Sequence, residues 1–391
     1  MLTKKENIIN KSLNKFLSEI IDLRRNLHKN PELSGKEFNT KKIIKTFFKK
    51  HPSYQSIEEI GETGLAVIYQ GKNPGPTIMI RADIDALPIN EELDIPYKSV
   101  NKNVSHKCGH DGHTAMVAGL ACVLAKNPIK KGKLILLFQP AEETGTGARE
   151  IINNPKFKNL NPDYVFGLHN LPGFEKNTII TKNDTFALAS KGIIIKLSGK
   201  SSQAAYPEFG VSPAPAMTNI LQKLIEMQND KNLCKDFFNI TIVHARLGDV
   251  AFGTSPGYAE IMTTIRSSDD NDMKIISNII ENYVNKICQK NKIKFTITDT
   301  EVFDATKNYN DFNEIIEKIT QKTGLKYKRI NKPFRWSEDF GEYLKKYKGT
   351  FFGIGAGINH PNLHNPDYDF PDEIIETGIT IFYNIIMNYC Y

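Results

Sequence analysis

The sequence has few cysteines and no long apolar segment. Its cysteines are odd in number and show no spacing that builds a disulfide framework, so a reducing compartment is expected. They are Cys108, Cys122, Cys234, Cys288 and Cys390. No uncharged apolar run approaches the ~18 residues of a bilayer-spanning helix, and the N-terminal segment lacks the apolar stretch of a signal peptide. We therefore expect a cytoplasmic protein that does not associate with membranes.

The chain also lacks a strong excess of charge. Its 391 residues include 51 Lys and Arg against 44 Asp and Glu, a net charge of +7. The lysines are scattered, as in Lys41–Lys42 and Lys130–Lys131, so most are expected to be solvated and no nucleic-acid partner is predicted. With 40% hydrophobic and 24% charged residues, the composition is typical of a globular protein and excludes a disordered chain or a collagen-like repeat.

Strand and helix patterns alternate through about residue 185. Apolar spacing predicts helices over Ile8–His28 and His113–Lys126. Short apolar runs predict four strands. The first two are bounded by the turn residues Gly71–Pro76, and the last two are of the kind that is covered on both faces. These strands are predicted at Gly64–Gln70, Thr77–Ile80, Leu134–Phe138 and Tyr164–Leu168. Alternation of this kind indicates α/β layers.

From about Ala187 the order changes to strand, helix, strand, strand, helix, strand, which is typical of a split βαβ unit with an antiparallel sheet. After about residue 302, α/β elements resume. They are predicted at Phe312–Thr323, Ser337–Lys346, Thr350–Ile354 and Asp372–Met387. The predicted fold class is therefore α/β, with a catalytic α/β domain that contains a mixed sheet. It is formed by residues 1–186 and 302–391 and is interrupted by an inserted α+β domain at residues 187–301.

The densest cluster of reactive side chains is Ser105–His113, which holds one thiol and three imidazoles. Thiolate and imidazole are favoured ligands of zinc and similar divalent ions. Cys108 and His110 flank a glycine, so their side chains can converge on one site. Asp111 is placed to hold an imidazole by its other nitrogen. The alternative is a surface loop that is rich in histidine by chance.

Two adjacent carboxylates, Glu142 and Glu143, follow the strand predicted at Leu134–Phe138. In open α/β sheets, ligands bind at the carboxyl ends of the strands. Neighbouring side chains point in different directions, so one glutamate can bind a metal while the other accepts a proton. This division fits metal-assisted hydrolysis. The alternative is an acidic helix N-terminus that the helix dipole stabilises.

Other predicted strand ends also carry polar residues. Arg81–Pro88 contains two acids, Asp83 and Asp85, and His169 follows a further strand. His364 lies in a C-terminal loop after a glycine-rich run. A single histidine at a strand end is more often a core residue than a ligand. Several polar residues at strand ends in one chain favour a ligand site instead, because they would all meet at one rim of one sheet.

Six segments, in this order and spacing, resemble the amino-acid amidohydrolases. This family includes hippurate hydrolase, N-acetyldiaminopimelate deacetylase and the auxin-conjugate hydrolases, within the larger aminoacylase and carboxypeptidase group of dinuclear metallopeptidases. The resemblance extends from about Arg24 to Thr377. The segments are RADIDALP, HKCGHDGHT, FQPAEETGTGA, FGLHNLPG, WSEDFGEY and LHNPDYDFPDE.

The resemblance implies a catalytic domain with an inserted lid or dimerisation domain, and a homodimer. It also implies two divalent metal ions per subunit. The same ligands could hold manganese, zinc, cobalt or nickel. Cys108 would bridge the two ions. The implied ligands are Cys108, His110, Glu143, His169 and His364.

The resemblance also implies roles for residues that do not bind metal. Glu142 would be the general base. Asp83 and Asp111 would not bind metal themselves but would contact metal-binding side chains and hold them in position. His106 and His113 match the family's segment but are not ligands in it.

The sequence departs from the family pattern in the inserted domain. Most members carry a histidine in a Gly-x-x-x-His-Ala-Ala-x-Pro segment, where this chain has Gln203 within Gly199–Pro207. The usual Asn-x-x-Pro segment is also missing, and Gly253–Gly257 stands near its place. A glutamine amide can donate a hydrogen bond to an oxyanion, as a neutral imidazole does, but it cannot become cationic. Gln203 is therefore predicted to be an uncharged oxyanion donor, and the alternative is an idle position in a slower enzyme.

The predicted function is a dinuclear metal-dependent amidohydrolase that cleaves the amide bond of N-acyl amino acids or related small conjugates. Its predicted partner is a small-molecule amide substrate. One alternative is a dipeptidase or carboxypeptidase of the same fold. Another is a non-catalytic metal-containing binding protein, which loss of the lid histidine would allow. Arg266 is a candidate for binding a substrate carboxylate, and the alternative is a surface arginine.

Overall fold

The computed structural model describes the backbone of residues 4–391 and the side chains of residues 15–391. The helices in this range are α1 (Lys4–Lys29), α2 (Phe38–Lys50), α3 (His110–Leu124), α4 (Gly147–Asn153), α5 (Pro155–Leu160), α6 (Ala214–Asn229), α7 (Asp270–Lys290), α8 (Asn310–Thr323), α9 (Gly341–Leu344) and α10 (Ile375–Cys390). None of them combines the length and the apolarity that a membrane-crossing helix needs.

The strands in the same range are β1 (Ser56–Ile60), β2 (Gly64–Gln70), β3 (Asn73–Asp83), β4 (Lys131–Gln139), β5 (Tyr164–Pro172), β6 (Thr178–Thr181), β7 (Asp184–Ala187), β8 (Ala189–Ser198), β9 (Ser202–Gln203), β10 (Phe238–Leu247), β11 (Thr254–Ser255), β12 (Tyr258–Ser267), β13 (Lys294–Phe303), β14 (Thr306–Asn308), β15 (Lys326–Arg329) and β16 (Lys348–Gly357).

Two local predictions are wrong. The turn expected at Gly71–Pro76 is shorter, because β3 already pairs with β4 at Asn73 and the prolines lie in a bulge before Thr77. The helix expected at Ser337–Lys346 is confined to α9. The residues before α9 do not continue it, because the buried Asp339 carboxylate is held by side chains of β3 and β4.

An eight-stranded mixed sheet organises one compact unit, which consists of the chain through Phe186, Thr306–Lys332 and Asp339–Tyr391. Its strand order is β1-β2-β4-β3-β5-β16-β6-β15. The four central strands β4, β3, β5 and β16 are neighbours and run parallel. Their carboxyl ends therefore lie along one edge, and the segments that follow them meet there. The predicted α/β class with a mixed sheet is confirmed.

Helix α3 occupies the core of this unit. All 15 of its residues are buried, as its alanine-rich, apolar sequence predicts. Gly119 permits close packing, since a Cβ there would lie 2.6 Å from the Ile379 side chain of α10 and 3.0 Å from Ile20 of α1. The buried helix fixes its own first turn, which carries His110, at the rim of the sheet.

The second compact unit consists of Ala187–Ala305 and Pro333–Glu338. Its antiparallel sheet has the order β10-β12-β8-β13, and α6 and α7 pack on it. From its position in the sequence, Pro333–Glu338 is predicted to belong to the second part of the catalytic domain. The segment groups with the inserted unit because the Leu188 N–H donates to its carbonyls. A role for this unit as a lid or dimerisation domain stays a prediction.

Candidate metal centre

Each of the four central parallel strands delivers a candidate ligand or supporting acid to the same edge of the sheet. Strand β3 ends at Asp83, and β4 is followed by Glu142 and Glu143. His169 lies near the end of β5, and His364 follows β16. The topology thus brings strand-end residues together that are far apart in sequence, as expected for a ligand site in an open α/β sheet.

Cys108 lies at the centre of the cluster. The ligand atoms of Cys108, His110 and His169 are within 4.8 Å of one another, and so are those of Cys108, Glu143 and His364. The Cys108 Sγ is 3.4 Å from His169 Nε2. Glu143 Oε1 is 3.7 Å from His110 Nε2 and 3.7 Å from His364 Nε2. The thiol therefore belongs to two overlapping groups of potential ligands.

Gly109 makes the turn between Cys108 and His110 possible. Its φ is +90°, in the region that favours glycine. A Cβ at this position would lie 2.4 Å from the Asn170 Oδ1, which is too close for any side chain. The turn leaves both flanking side chains buried. The glycine noted in the sequence is thus required by backbone conformation and by the approach of β5.

Two residues beside the cluster adopt left-handed backbone without being glycine. They are Ala141 (φ +53°) and His364 (φ +66°). Such conformations cost roughly 1–3 kcal/mol and persist where the surroundings hold them. The Ala141 N–H donates to the buried Glu37 carboxylate at 2.9 Å, and the His364 N–H donates to the Lys107 carbonyl at 2.7 Å. The loops that carry Glu142 and His364 are therefore held in place by neighbouring segments.

Asp85 supports two candidate ligands, a role that the sequence analysis did not assign. Its Oδ1 and its carbonyl oxygen lie 3.2 and 3.0 Å from His110 Nδ1. Its Oδ2 accepts from the Glu143 N–H at 3.0 Å and from the Ser34 hydroxyl at 2.6 Å. These bonds turn the His110 Nε2 toward the cluster. One signal was available, since Asp85 is the second acid of Arg81–Pro88 and follows the end of β3 by two residues.

Asp83 contacts His113 more closely than it contacts any predicted ligand. Its Oδ1 is 2.7 Å from His113 Nδ1, and its Oδ2 accepts from Arg81 at 2.7 Å. The nearest nitrogen of His110 is 3.7 Å away. The ring of His113 in turn packs edge-on against His169 at 4.6 Å. These contacts link Asp83 to the ligand region through His113, and its supporting role stays a prediction.

Asp111 holds an imidazole, but it is His28 rather than a predicted ligand. Asp111 Oδ2 is 2.9 Å from His28 Nδ1 and 3.3 Å from the buried guanidinium of Arg24. The other ring nitrogen of His28 is 2.8 Å from Glu91, which also accepts from Lys107. Burial lowers the pKa of His28, but the hydrogen bonds with Asp111 and Glu91 outweigh this effect and raise the pKa to about 9. This charged network ties α1 to the turn that carries Cys108.

The electrostatics of the cluster favour a cation. Burial and the negative charges of Glu143 and Glu142 raise the pKa of the Cys108 thiol well above its usual value. Burial also raises the pKa of Glu143 to about 7, against the opposing charge of His110. A bound divalent ion would favour the thiolate and the carboxylate and release their protons.

The donors themselves also fit a divalent metal. Among the described side chains, the buried His110 Nε2 and Glu143 Oε1 have no hydrogen-bond partner. Thiol, imidazole and carboxylate are the groups that hold zinc and similar ions. A metal would provide the missing partner for both atoms.

Glu142 lies beside this cluster and is almost fully buried. One of its carboxylate oxygens lies within 4.8 Å of ligand atoms of His110 and Glu143. Its Oε1 accepts from the N–H of Asp339 at 3.3 Å. The two adjacent glutamates therefore have different surroundings, as their proposed division of roles requires.

In the inserted unit, the two departures from the family pattern are neighbours. Gln203 is exposed on β9, where it pairs with Thr254 of β11. The Ala204 N–H donates to the Gly253 carbonyl at 2.9 Å. Arg266 donates to the Arg335 carbonyl at 2.9 Å, and no acidic side chain of the described chain lies within salt-bridge distance of it. The roles of Gln203 and Arg266 stay predictions.

Comparisons with known proteins find a family and several relatives that match most of the chain. The model of peptidase family M20/M25/M40 matches residues 79–388. Hippurate hydrolase of Campylobacter jejuni is 30% identical over 390 residues, which cover 96% of this chain and 99% of that protein. N-acetyldiaminopimelate deacetylase of Bacillus subtilis is 31% identical over 372 residues, covering 93% and 97%. The crystal structure of a dinuclear metal-binding peptidase of the M20 family, also from Bacillus subtilis, matches with a TM-score of 0.79 and 26% identity, covering 95% and 98%.

Proposed function

Because the chain belongs to peptidase family M20/M25/M40, we propose that it is a dinuclear metal-dependent amidohydrolase that cleaves the amide bond of N-acyl amino acids or related small conjugates. The observation that carries this proposal is the position of the Cys108 thiol in two overlapping groups of metal-binding side chains. The relatives named hippurate hydrolase and N-acetyldiaminopimelate deacetylase support this substrate class.

We assign two divalent ions, of manganese, zinc, cobalt or nickel, to the cluster, with Cys108 as the shared ligand. When bound, such ions lower the pKa of a coordinated water and stabilise negative charge on a substrate oxygen. Two of the imidazoles are oriented by a contact at their Nδ1 atom. Asp85 holds His110, and the Asn170 carbonyl holds His169 at 2.8 Å. The proposed ligands are Cys108, His110, Glu143, His169 and His364.

Glu142 is the proposed carrier of the proton. It takes a proton from the attacking water and later gives it to the leaving amine, so one carboxylate performs both transfers. This division of roles between the two glutamates is supported by the group of Cys108, Glu143 and His364, which contains Glu143 but not Glu142. Burial beside the cluster keeps Glu142 within reach of the reacting atoms.

A peptidase activity is the second candidate, which the relative named as a dinuclear metal-binding peptidase favours. The test is to remove the metal, reload separate samples with manganese, zinc, cobalt and nickel, and assay N-acyl amino acids against dipeptides. We expect a higher kcat/KM on the N-acyl amino acids. A higher kcat/KM on dipeptides would favour the peptidase, and bound metal without turnover on either class would favour a binding protein.

We expect Gln203→Ala to lower kcat by roughly 10- to 1,000-fold, the upper range being that of a lost oxyanion-hole donor. The loss should affect kcat more than KM, because the hydrogen bond strengthens in the transition state. Steady-state kinetics on the best substrate of the panel measures it, with the neighbouring Ser202→Ala as the control. An unchanged kcat would remove the donor role, and His244, on β10 of the same inserted unit, would be tested next.

We further propose that the protein is a homodimer formed through the inserted unit. Strand β10 is an edge of the four-stranded sheet, and Val243 (58%) and Leu247 (40%) on it are exposed. Val250 and Phe252, in the loop that follows, are fully exposed. A long edge strand with exposed apolar side chains is a site for pairing with another chain.

Light scattering at micromolar concentration is expected to give twice the 44.2 kDa mass of the chain. Val243→Lys should shift the protein toward the single-chain mass, because a lysine on an edge strand opposes pairing. Ile275→Lys is the matched control, since Ile275 is also exposed but lies on α7. A single 44.2 kDa species for the unmodified protein would contradict the dimer.

A further inference from the structure

A buried arginine connects the metal side of the site with the base. Arg81, near the end of β3, is 1% exposed. One of its terminal nitrogens donates to Asp83 Oδ2 at 2.7 Å, and the other donates to Asp339 Oδ1 at 2.8 Å. Its Nε donates to Gln139 Oε1 at 3.0 Å. A planar guanidinium with three directed donors holds these groups in one arrangement.

Asp339 is held at both carboxylate oxygens. Besides Arg81, Oδ1 and Oδ2 accept from Gln139 Nε2 at 3.0 and 2.8 Å, and Oδ2 accepts from the Ala148 N–H at 2.8 Å. The side chain is 1% exposed. With both oxygens already held, the carboxylate is bound as an anchor in the interior of the catalytic unit.

The backbone of the same residue reaches the proposed base. The Asp339 N–H donates to Glu142 Oε1 at 3.3 Å. Asp339 precedes α9 and lies outside any helix or strand, so no regular ladder of backbone hydrogen bonds sets the direction of this N–H. The Asp339 side chain, through its partners Arg81, Gln139 and Ala148, helps to set this direction, together with the turn in which the Glu342 N–H donates to the Asp339 carbonyl at 3.0 Å.

We propose that Asp339 is a positioning residue for Glu142, anchored through Arg81 to the carboxylate of Asp83. The inference rests on the proposed function, in which Glu142 carries the proton. A general base works only within a narrow range of distances and angles, and supporting hydrogen bonds hold it there. The Asp339 N–H contacts the base directly, whereas its carboxylate reaches the ligand region indirectly, through Arg81, Asp83 and His113.

Asp339→Asn is the direct variant. The amide keeps the shape of the side chain but places an NH2 group where Arg81, Gln139 and Ala148 present only donors. The turn must shift to relieve that mismatch, and the N–H over Glu142 shifts with it. We expect kcat on the best N-acyl amino acid to fall roughly 10- to 100-fold, the range for removing a partner that supports a site from behind. KM and the metal content of the protein should stay unchanged.

A double-mutant cycle with Glu142→Gln separates positioning of the base from a general structural role. If Asp339 acts through Glu142, adding Asp339→Asn to Glu142→Gln should cost almost nothing further in kcat, because residues that act as one unit are not additive. Glu342→Gln is the matched control. Its carboxylate lies nearby in the sequence and has its own arginine, Arg149, at 2.7 Å, so its effect should be small.

The outcomes distinguish this inference from the proposed function. The same fold-loss from Asp339→Asn in both backgrounds, or a loss of bound metal, would overturn the positioning role while Glu142 remained the base. Normal turnover by Glu142→Gln would overturn both. If Asp339→Asn does not fold, Gln139→Leu takes its place in the cycle, since it removes one of the donors to Asp339 and the acceptor of Arg81 Nε but leaves the ion pair of Arg81 with Asp339. Its cost should likewise vanish in the Glu142→Gln background.

Discussion

Glu142→Gln is expected to lower kcat by roughly 10²- to 10⁴-fold, the contribution of a general acid–base residue. A glutamine amide has nearly the same shape but cannot accept the proton of the attacking water or return it to the leaving amine. The fold and the metal content should not change, because Glu142 is outside the proposed ligand set. Kinetics on the best N-acyl amino acid, together with elemental analysis, measures both quantities.

Glu143→Gln is the control for this prediction, since it changes the adjacent residue in the same way. Its main effect should be a loss of metal affinity, because Glu143 Oε1 lies 3.7 Å from both His110 and His364. Activity should then recover in part when excess metal is added. Near-normal turnover by Glu142→Gln, or loss of metal from that variant first, would show that the two roles are assigned to the wrong residues.

Cys108→Ala is expected to reduce the metal content below two ions per chain. Turnover should fall by more than the roughly 10- to 100-fold that loss of a supporting partner costs. The thiol belongs to two groups of ligand atoms, so its removal weakens both metal positions at once. Elemental analysis of the fully loaded protein gives the stoichiometry, and activity is measured on the same sample.

Cys122→Ala is the matched control for Cys108→Ala. Cys122 is also fully buried, but it lies inside α3 and contacts His51 rather than a proposed ligand. The Cys122→Ala variant should keep both metal ions and normal turnover. One bound ion with full activity in the unmodified protein would contradict the dinuclear site.

Much of the site could be predicted from the sequence because its parts are short, local patterns. The turn at Cys108–His110 favours a glycine for a local reason, because its φ of +90° lies in a region that other residues rarely adopt. The apolar run of β4 predicts a buried strand, and its end places Glu142 and Glu143. Since parallel strands expose their carboxyl ends at one edge, the meeting of these segments with His169 follows from the fold class.

The supporting partners of the ligands could be identified only in the folded chain. His110 is held by Asp85, 25 residues earlier, and Asp111 holds His28, 83 residues earlier. A sequence shows that an acid and an imidazole are both present. It does not show which pair shares an interior position, because that depends on the packing of α1 against α3.

The segment around Asp339 is another place where partners distant in sequence decide the local structure. Taken alone, Ser337–Lys346 has the composition of a helix, and most of that helix does not form. Arg81 and Gln139, about 200 or more residues away in sequence, hold its buried carboxylate by hydrogen bonds. These bonds outweigh the local preference for a helix. Local patterns therefore indicated the class of chemistry, and the family resemblance of the sequence implied the ligands. The tertiary structure decided which residues orient them, because buried polar groups take the partners that the folded interior offers.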